Sequence, residues 1–159
     1  MKLKLAVLRD EIDDELKHIY HLKNQIREVN EIINNSNIVT RIYASILSDF
    51  YMASERIFKL IAKEVDEELP ETDDWHKKLL RQMSVEIPEI RPAVIDKKLY
   101  LLLEEYLKFR HLVRNIYGFQ LDYKRFSHLV LDIDTAISEM VKQVNSFLNK
   151  MEEIARKLT

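Results

Sequence analysis

Cysteine is absent from the chain, and this absence excludes a disulfide framework, thiolate metal ligands and a catalytic thiol together. Glycine occurs once and proline three times in 159 residues. So few turn-forming residues exclude a β-sandwich or β-barrel, because their many short strands need frequent turns. We therefore expect long helices joined by few connections.

Long hydrophobic runs are missing as well. The longest uninterrupted aliphatic or aromatic stretch is Leu99–Leu103, far below the roughly 20 residues that cross a bilayer as a helix. Residues 1–8 lead directly into Arg9, Asp10 and Glu11 instead of a hydrophobic stretch with a cleavage site. The sequence thus predicts no membrane segment and a cytoplasmic protein.

The composition that remains is typical of a globular protein, with 47% hydrophobic and 33% charged residues. The length fits one domain, residues 1–159. The net charge of −2 gives no general attraction for nucleic acid. One stretch is locally basic and has a single acid, Asp122, against these cations: Lys108, Arg110, Arg114, Lys124 and Arg125. Composition alone leaves open whether this patch binds anything.

Apolar residues that recur every three or four positions predict the secondary structure. Four long helices and one short helix are expected, in the following ranges: Leu5 to Ile33, Ile38 to Glu68, Thr72 or Asp73 to Met83, Asp96 to Gly118, and Asp122 to Leu158. The polar residues 34–37 separate the first two helices, and residues 84–95 form an irregular connector. The sequence predicts an all-α antiparallel bundle, in which Gly118 ends the fourth helix in a left-handed conformation.

A polar face is predicted at the end of the fourth helix. At 3.6 residues per turn, Arg110, Arg114 and Tyr117 share one stripe, flanked by His111 and Asn115. Two guanidinium groups suit phosphate, and an imidazole titrates near neutral pH. A solvated face, with cations that complement the helix dipole, explains the same residues. Spacing alone favours this simpler interpretation.

The segment FRHLVRNIYGFQLDYKRF, residues 109–126, resembles the active helix of the HEPN family. That helix carries an Arg, then Asn, three variable residues, His, one further residue and Tyr. Arg110 and Tyr117 match, whereas His111 and Asn115 stand in the slots for Asn and His, so that the two are exchanged. Residues 53–83 and 88–95 are similar to the HepT-like branch of the family.

The resemblance implies a HEPN-like homodimer, with two active helices facing each other across a cleft, and metal-independent RNA cleavage there. The 2′-hydroxyl of the substrate attacks the adjacent phosphate, so the protein supplies charge stabilisation and proton transfer. Arg110 would stabilise the phosphorane, His111 would carry the proton, and Asn115 would orient a group. The remaining cations would bind the RNA backbone: Arg114, Lys108, Lys124 and Arg125. No metal and no cofactor are expected.

The resemblance also implies a partner, a minimal nucleotidyltransferase that forms a toxin–antitoxin pair with the chain. This partner would use ATP to transfer AMP to Tyr117. The added phosphate would place negative charge where RNA phosphate binds.

Two other functions remain open. The chain could be a catalytically inactive nucleotide- or RNA-binding subunit of the nucleotidyltransferase, which Asn115 in the usual His slot favours. It could also be a helical interaction module without a ligand.

Other polar residues are given structural interpretations. Glu15 and His18 have the spacing of helical di-iron ligands, but a second such pair is missing, so we expect a solvated face. Asp73 and His76 are expected to cap the short helix. Three aromatic residues of the second helix are expected in the core: Tyr43, Phe50 and Tyr51.

Overall fold

The computed structural model describes residues 1–32 and 37–158. In this part of the chain five α-helices are present: α1 (Lys2–Asn30), α2 (Asn37–Ile61), α3 (Trp75–Met83), α4 (Lys97–Asn115) and α5 (Tyr123–Lys157). The predicted all-α bundle is confirmed. The predicted end of the first helix at Ile33 and the polar residues 34–36 lie outside the described residues. None of the described helices combines the length and the apolar composition needed to cross a membrane.

Contacts between helix ends show that neighbouring helices run antiparallel. Lys4 near the start of α1 lies 3.9 Å from Glu64, just after α2. Tyr43 at the start of α2 donates a 2.6 Å hydrogen bond to Asn30 at the end of α1. Likewise, the hydroxyl of Tyr106 in α4 donates to the carbonyl of Leu129 near the start of α5, at 2.7 Å.

The core follows from one apolar stripe on each helix. In α1 the buried residues recur every three or four positions: Leu5, Leu8, Ile12, Leu16, Ile19, Leu22, Ile26 and Val29. Helix α2 packs against all four other α-helices, and it is therefore the most deeply buried element. Tyr43, Phe50 and Tyr51 lie in the core as predicted.

The link between α2 and α4 is fixed by a buried ion pair. After α2 a π-helical turn, Ala62–Asp66, ends at Glu67 in a left-handed conformation with φ 57°. This turn directs Asp66 toward Arg91, whose Nη2 donates to Oδ2 of Asp66 at 2.8 Å. Arg91 also donates to the carbonyls of Gln82 and Val85. The predicted connector 84–95 is thus irregular but anchored.

The predicted end of the fourth helix is wrong. Helix α4 ends at Asn115, Ile116 and Tyr117 are extended, and Gly118 begins a 3₁₀ turn, Gly118–Gln120. The φ of Gly118 is not positive. A Cβ atom at this position would lie 2.9 Å from Cζ and Nε of Arg41, so a larger residue would require the Arg41 side chain to shift.

The helix caps follow the sequence in two of three cases. Asp96 and Asp122 accept hydrogen bonds from the backbone of Leu99 and Lys124, as expected for N-caps. At α3 the N-cap is Asp74, not Thr72 or Asp73, and its side chain makes no cap bond. The Thr72 hydroxyl instead donates to the Asp74 carboxylate at 2.6 Å.

Candidate functional site

Arg110 is held at the contact between α4 and α2. Its side chain is half-buried, and Nη1 donates to the carbonyl of Ser48 at 3.1 Å. Partial burial and the adjacent Arg114 lower the pKa of Arg110, while Glu55 and Asp49 of α2 raise it. None of the carboxylates in the described residues forms an ion pair with Arg110. The guanidinium group is therefore fixed in place, with donors left for a ligand.

Asp49 shares this environment. Partial burial raises the pKa of its carboxyl group, and the nearby cations Arg110 and Arg56 oppose that shift. The acid is therefore disfavoured in its charged form even though two cations lie near it.

Arg114, His111 and Asn115 lie on the exposed side of the last turns of α4. Arg114 is close enough to Arg110 to lower its pKa, so the two predicted cations are brought together. His111 is exposed, and its ring has no hydrogen-bond partner among the described residues. The side-chain amide of Asn115 donates from Nδ2 to the carbonyl of His111 at 2.6 Å. Asn115 therefore stabilises the end of its own helix.

Tyr117 does not share the helical stripe, because α4 ends two residues before it. The angular placement predicted from the sequence is therefore wrong, and the side chain is 71% exposed. The backbone N–H of Tyr117 donates to the side-chain oxygen Oε1 of Gln120 at 2.9 Å. The backbone N–H of Gln120 donates in turn to the Tyr117 carbonyl at 2.9 Å. Its ring stacks on that of Phe119, with centroids 5.4 Å apart and planes 7° from parallel.

The other predicted RNA-binding cations lie elsewhere on α4 and at the start of α5. Lys108 is exposed and lies 3.5 Å from Glu105 on α4. Lys124 and Arg125 are exposed in the first turn of α5, where Nε of Arg125 is 3.9 Å from Asp122.

Arg41 was missed by the sequence analysis. It lies in the first turns of α2, and its guanidinium group packs against the backbone of Gly118. The lone glycine marks the position in the sequence, but the sequence does not show which side chain lies against it.

A second missed feature is the pairing of His76 with Glu55. Nδ1 of His76 lies 2.6 Å from Oε2 of Glu55, and Glu55 is buried. The His76 ring stacks on Trp75 with centroids 3.6 Å apart. The expectation that His76 caps α3 is therefore wrong, because its ring is directed toward α2. The partners are 21 residues apart, so no helical spacing relates them.

Glu15 and His18 lie 3.4 Å apart on α1, with His18 exposed. Over residues 1–32 and 37–158, no three His, Asp or Glu side chains are grouped so that they could hold a metal ion.

A comparison with protein families matches a sequence profile described as HepT-like protein to residues 42–151, more than half of the chain. The chain belongs to the HepT-like family. The HepT-like match starts in α2, ends in α5 and includes all of α4. It places the chain in the HEPN superfamily, and the HepT-like family is associated with toxin–antitoxin partnering. Comparisons with curated proteins and with solved structures find no match.

Proposed function

We propose that this HepT-like protein is the metal-independent RNA-cleaving toxin subunit of a toxin–antitoxin pair. The observation that carries the proposal is the placement of Arg110. The Ser48 carbonyl fixes its guanidinium beside Arg114, and among the described residues no carboxylate pairs with it. Two adjacent cations next to an exposed imidazole suit the negative charge that develops on a reacting phosphate.

In the proposed reaction, the 2′-oxygen of the RNA attacks the adjacent phosphorus atom. The P–O2′ bond forms and the P–O5′ bond breaks, which leaves a 2′,3′-cyclic phosphate and a 5′-hydroxyl. Arg110 stabilises the phosphorane, and Arg114 binds the RNA backbone. A homodimer with its α4 helices facing supplies two His111 side chains, one that accepts the 2′ proton and one that donates a proton to O5′.

Asn115 has a positioning role in this mechanism, because a side-chain amide donates and accepts hydrogen bonds but does not act as a general acid or base. Its bond to the His111 carbonyl fixes the backbone of the residue that carries the imidazole. The same residue favours the second candidate function, a catalytically inactive subunit that binds RNA or nucleotide.

Tyr117 is the proposed acceptor of AMP from a nucleotidyltransferase antitoxin. Its phenol oxygen attacks the α-phosphorus of ATP, and pyrophosphate leaves. The side chain is exposed by 71%, so a second enzyme can reach it. The product carries a phosphate diester close in sequence to Arg114, where it competes with RNA for the cations.

Cleavage of a single-stranded RNA by the purified protein in the presence of EDTA tests the proposal. We expect Arg110→Ala to lower the rate by about 10²-fold or more, since it removes stabilisation of transition-state charge. Arg81→Ala, which removes an exposed arginine of α3, serves as the matched control and retains the rate. Full activity of Arg110→Ala would reject the assignment.

His111→Ala separates the two candidate functions. A proton carrier contributes roughly 10²- to 10⁴-fold in rate, so this variant is expected to bind RNA normally and to cleave it poorly. If the wild-type protein binds RNA and does not cleave it, the inactive-subunit function is correct.

A further inference from the structure

Two aromatic rings project together from the turn that follows α4. Tyr117 is 71% exposed and Phe119 is 65% exposed, although both are large side chains that water disfavours. Their rings are nearly parallel, 7° apart, with centroids separated by 5.4 Å. Paired exposed aromatic rings of this kind are typical of a surface that binds something flat or apolar.

Hydrogen bonds order the backbone of the turn that carries the two rings. The reciprocal bonds between Tyr117 and Gln120, each 2.9 Å long, close the turn at one side. The amide of Leu121 donates to the Gly118 carbonyl at 3.2 Å. Because the backbone is already ordered, binding to these rings costs little conformational entropy.

One cation lies against the turn that carries the ring pair, and two others lie close to it in sequence. The Arg41 guanidinium lies against Gly118, the residue between Tyr117 and Phe119. Arg114 is in the last turn of α4, and Lys124 is exposed at the start of α5. Neither Arg41 nor Arg114 forms an ion pair with a carboxylate in the described part of the chain. An anionic ligand with flat, apolar groups matches this combination of charges and rings.

We propose that Tyr117 and Phe119, with Arg41 beside them, form a base-stacking subsite that binds single-stranded RNA. The subsite deepens the proposed function and rests on it, because it names the form of RNA presented to α4. Single-stranded nucleic acid exposes both base faces and phosphates, and proteins bind it with aromatic rings set among cations. In a duplex the base faces are covered by their neighbours. The two rings already contact each other, so a base stacks on an outer ring face.

Fluorescence anisotropy with a labelled 2′-O-methyl RNA of 12 nucleotides tests this subsite. This probe cannot be cleaved through its 2′-oxygen, so binding is measured apart from catalysis. We expect Phe119→Ala to weaken binding of the single strand roughly tenfold and to leave binding of the matching duplex unchanged. Tyr20→Ala, which removes an exposed tyrosine of α1, is the control and retains full affinity.

Tyr117→Phe separates stacking from modification. This variant keeps the ring and loses the hydroxyl, so we expect it to bind the single strand as the wild type does, whereas Tyr117→Ala binds about tenfold more weakly. Weak binding by Tyr117→Phe would show that the hydroxyl, and not the ring, makes the contact, and would overturn the subsite.

The outcomes distinguish this inference from the proposed function. If Phe119→Ala loses affinity for the single strand while the wild-type protein cleaves no RNA, the subsite is correct and the nuclease is wrong. If the wild-type protein cleaves RNA and Phe119→Ala binds the single strand as tightly, the subsite is wrong and the nuclease stands. If light scattering shows that Phe119→Ala dissociates a dimer with its affinity per protomer unchanged, the rings bind a second copy of the chain, which also overturns the subsite.

Discussion

At the scale of single residues, two side chains of the same type differ in burial and therefore in their environment. Arg110 and Arg114 are four residues apart on α4, yet Arg110 is half-buried against Ser48 and Arg114 is exposed. Their type and their spacing of four residues suffice to place both on one side of a helix. Which of the two arginines faces α2 depends on a contact between residues 62 positions apart, and local periodicity does not predict such a contact.

Asp49 offers a test of this environment through stability. Partial burial raises the pKa of its carboxyl group, so the folded state favours the protonated form. The free energy of unfolding therefore falls as the pH rises from the unfolded value, 3.8, through the folded pKa. Asp49→Asn removes this penalty. We expect the variant to be more stable than the wild type at pH 7, and the difference to vanish below about pH 3, where both states are protonated.

Urea denaturation at the two pH values measures the effect, with the exposed Asp134→Asn as control. A loss of stability in Asp49→Asn at pH 7 would contradict this account, because attraction to Arg110 and Arg56 would then outweigh burial.

At the scale of helices and connections, the sequence predicted the regular parts well and their ends less well. The buried apolar residues of α1 recur every three or four positions over the whole length of the helix. Such a pattern predicts a helix with one buried face. The predicted end of α4 at Gly118 is wrong, because the helix ends at Asn115 and the chain continues through extended Ile116 and Tyr117. Local spacing does not predict the pairing of His76 with Glu55, since it joins α3 to α2.

The Arg91–Asp66 pair is expected to be the main anchor of the connector 84–95. The side chains are 0% and 2% exposed, so Arg91→Ala leaves a buried carboxylate without its partner. We expect a loss of about 3–5 kcal/mol in the free energy of unfolding, measured by chemical denaturation. Arg81→Ala, the exposed control, should change stability by less than about 0.5 kcal/mol.

The double variant Arg91→Met with Asp66→Leu removes both charges, and we expect it to lose less stability than Arg91→Ala. A double variant that is less stable than Arg91→Ala would show that the ion pair is not what holds the connector.

At the scale of the whole molecule, one end of the bundle gathers residues that are far apart in sequence. The start of α2, the turn after α4 and the start of α5 meet there, as shown by Arg41 against Gly118 and by the ring contact of Tyr43 with Tyr123 at 5.5 Å. The sequence could predict helices and a bundle from local patterns. Convergence at this end follows from the packing of the whole bundle, so local patterns do not predict the contact of Arg41 with Gly118.

The identity of the RNA ends after cleavage tests the central claim most directly. The wild-type protein, incubated in EDTA with a single-stranded RNA, should yield 2′,3′-cyclic phosphate and 5′-hydroxyl ends, because the 2′-oxygen of the substrate is the nucleophile. The same strand with 2′-deoxy residues throughout should stay intact. Cleavage of the 2′-deoxy strand, or products with 5′-phosphate ends, would contradict the assignment of Arg110 and His111 to a metal-independent ribonuclease.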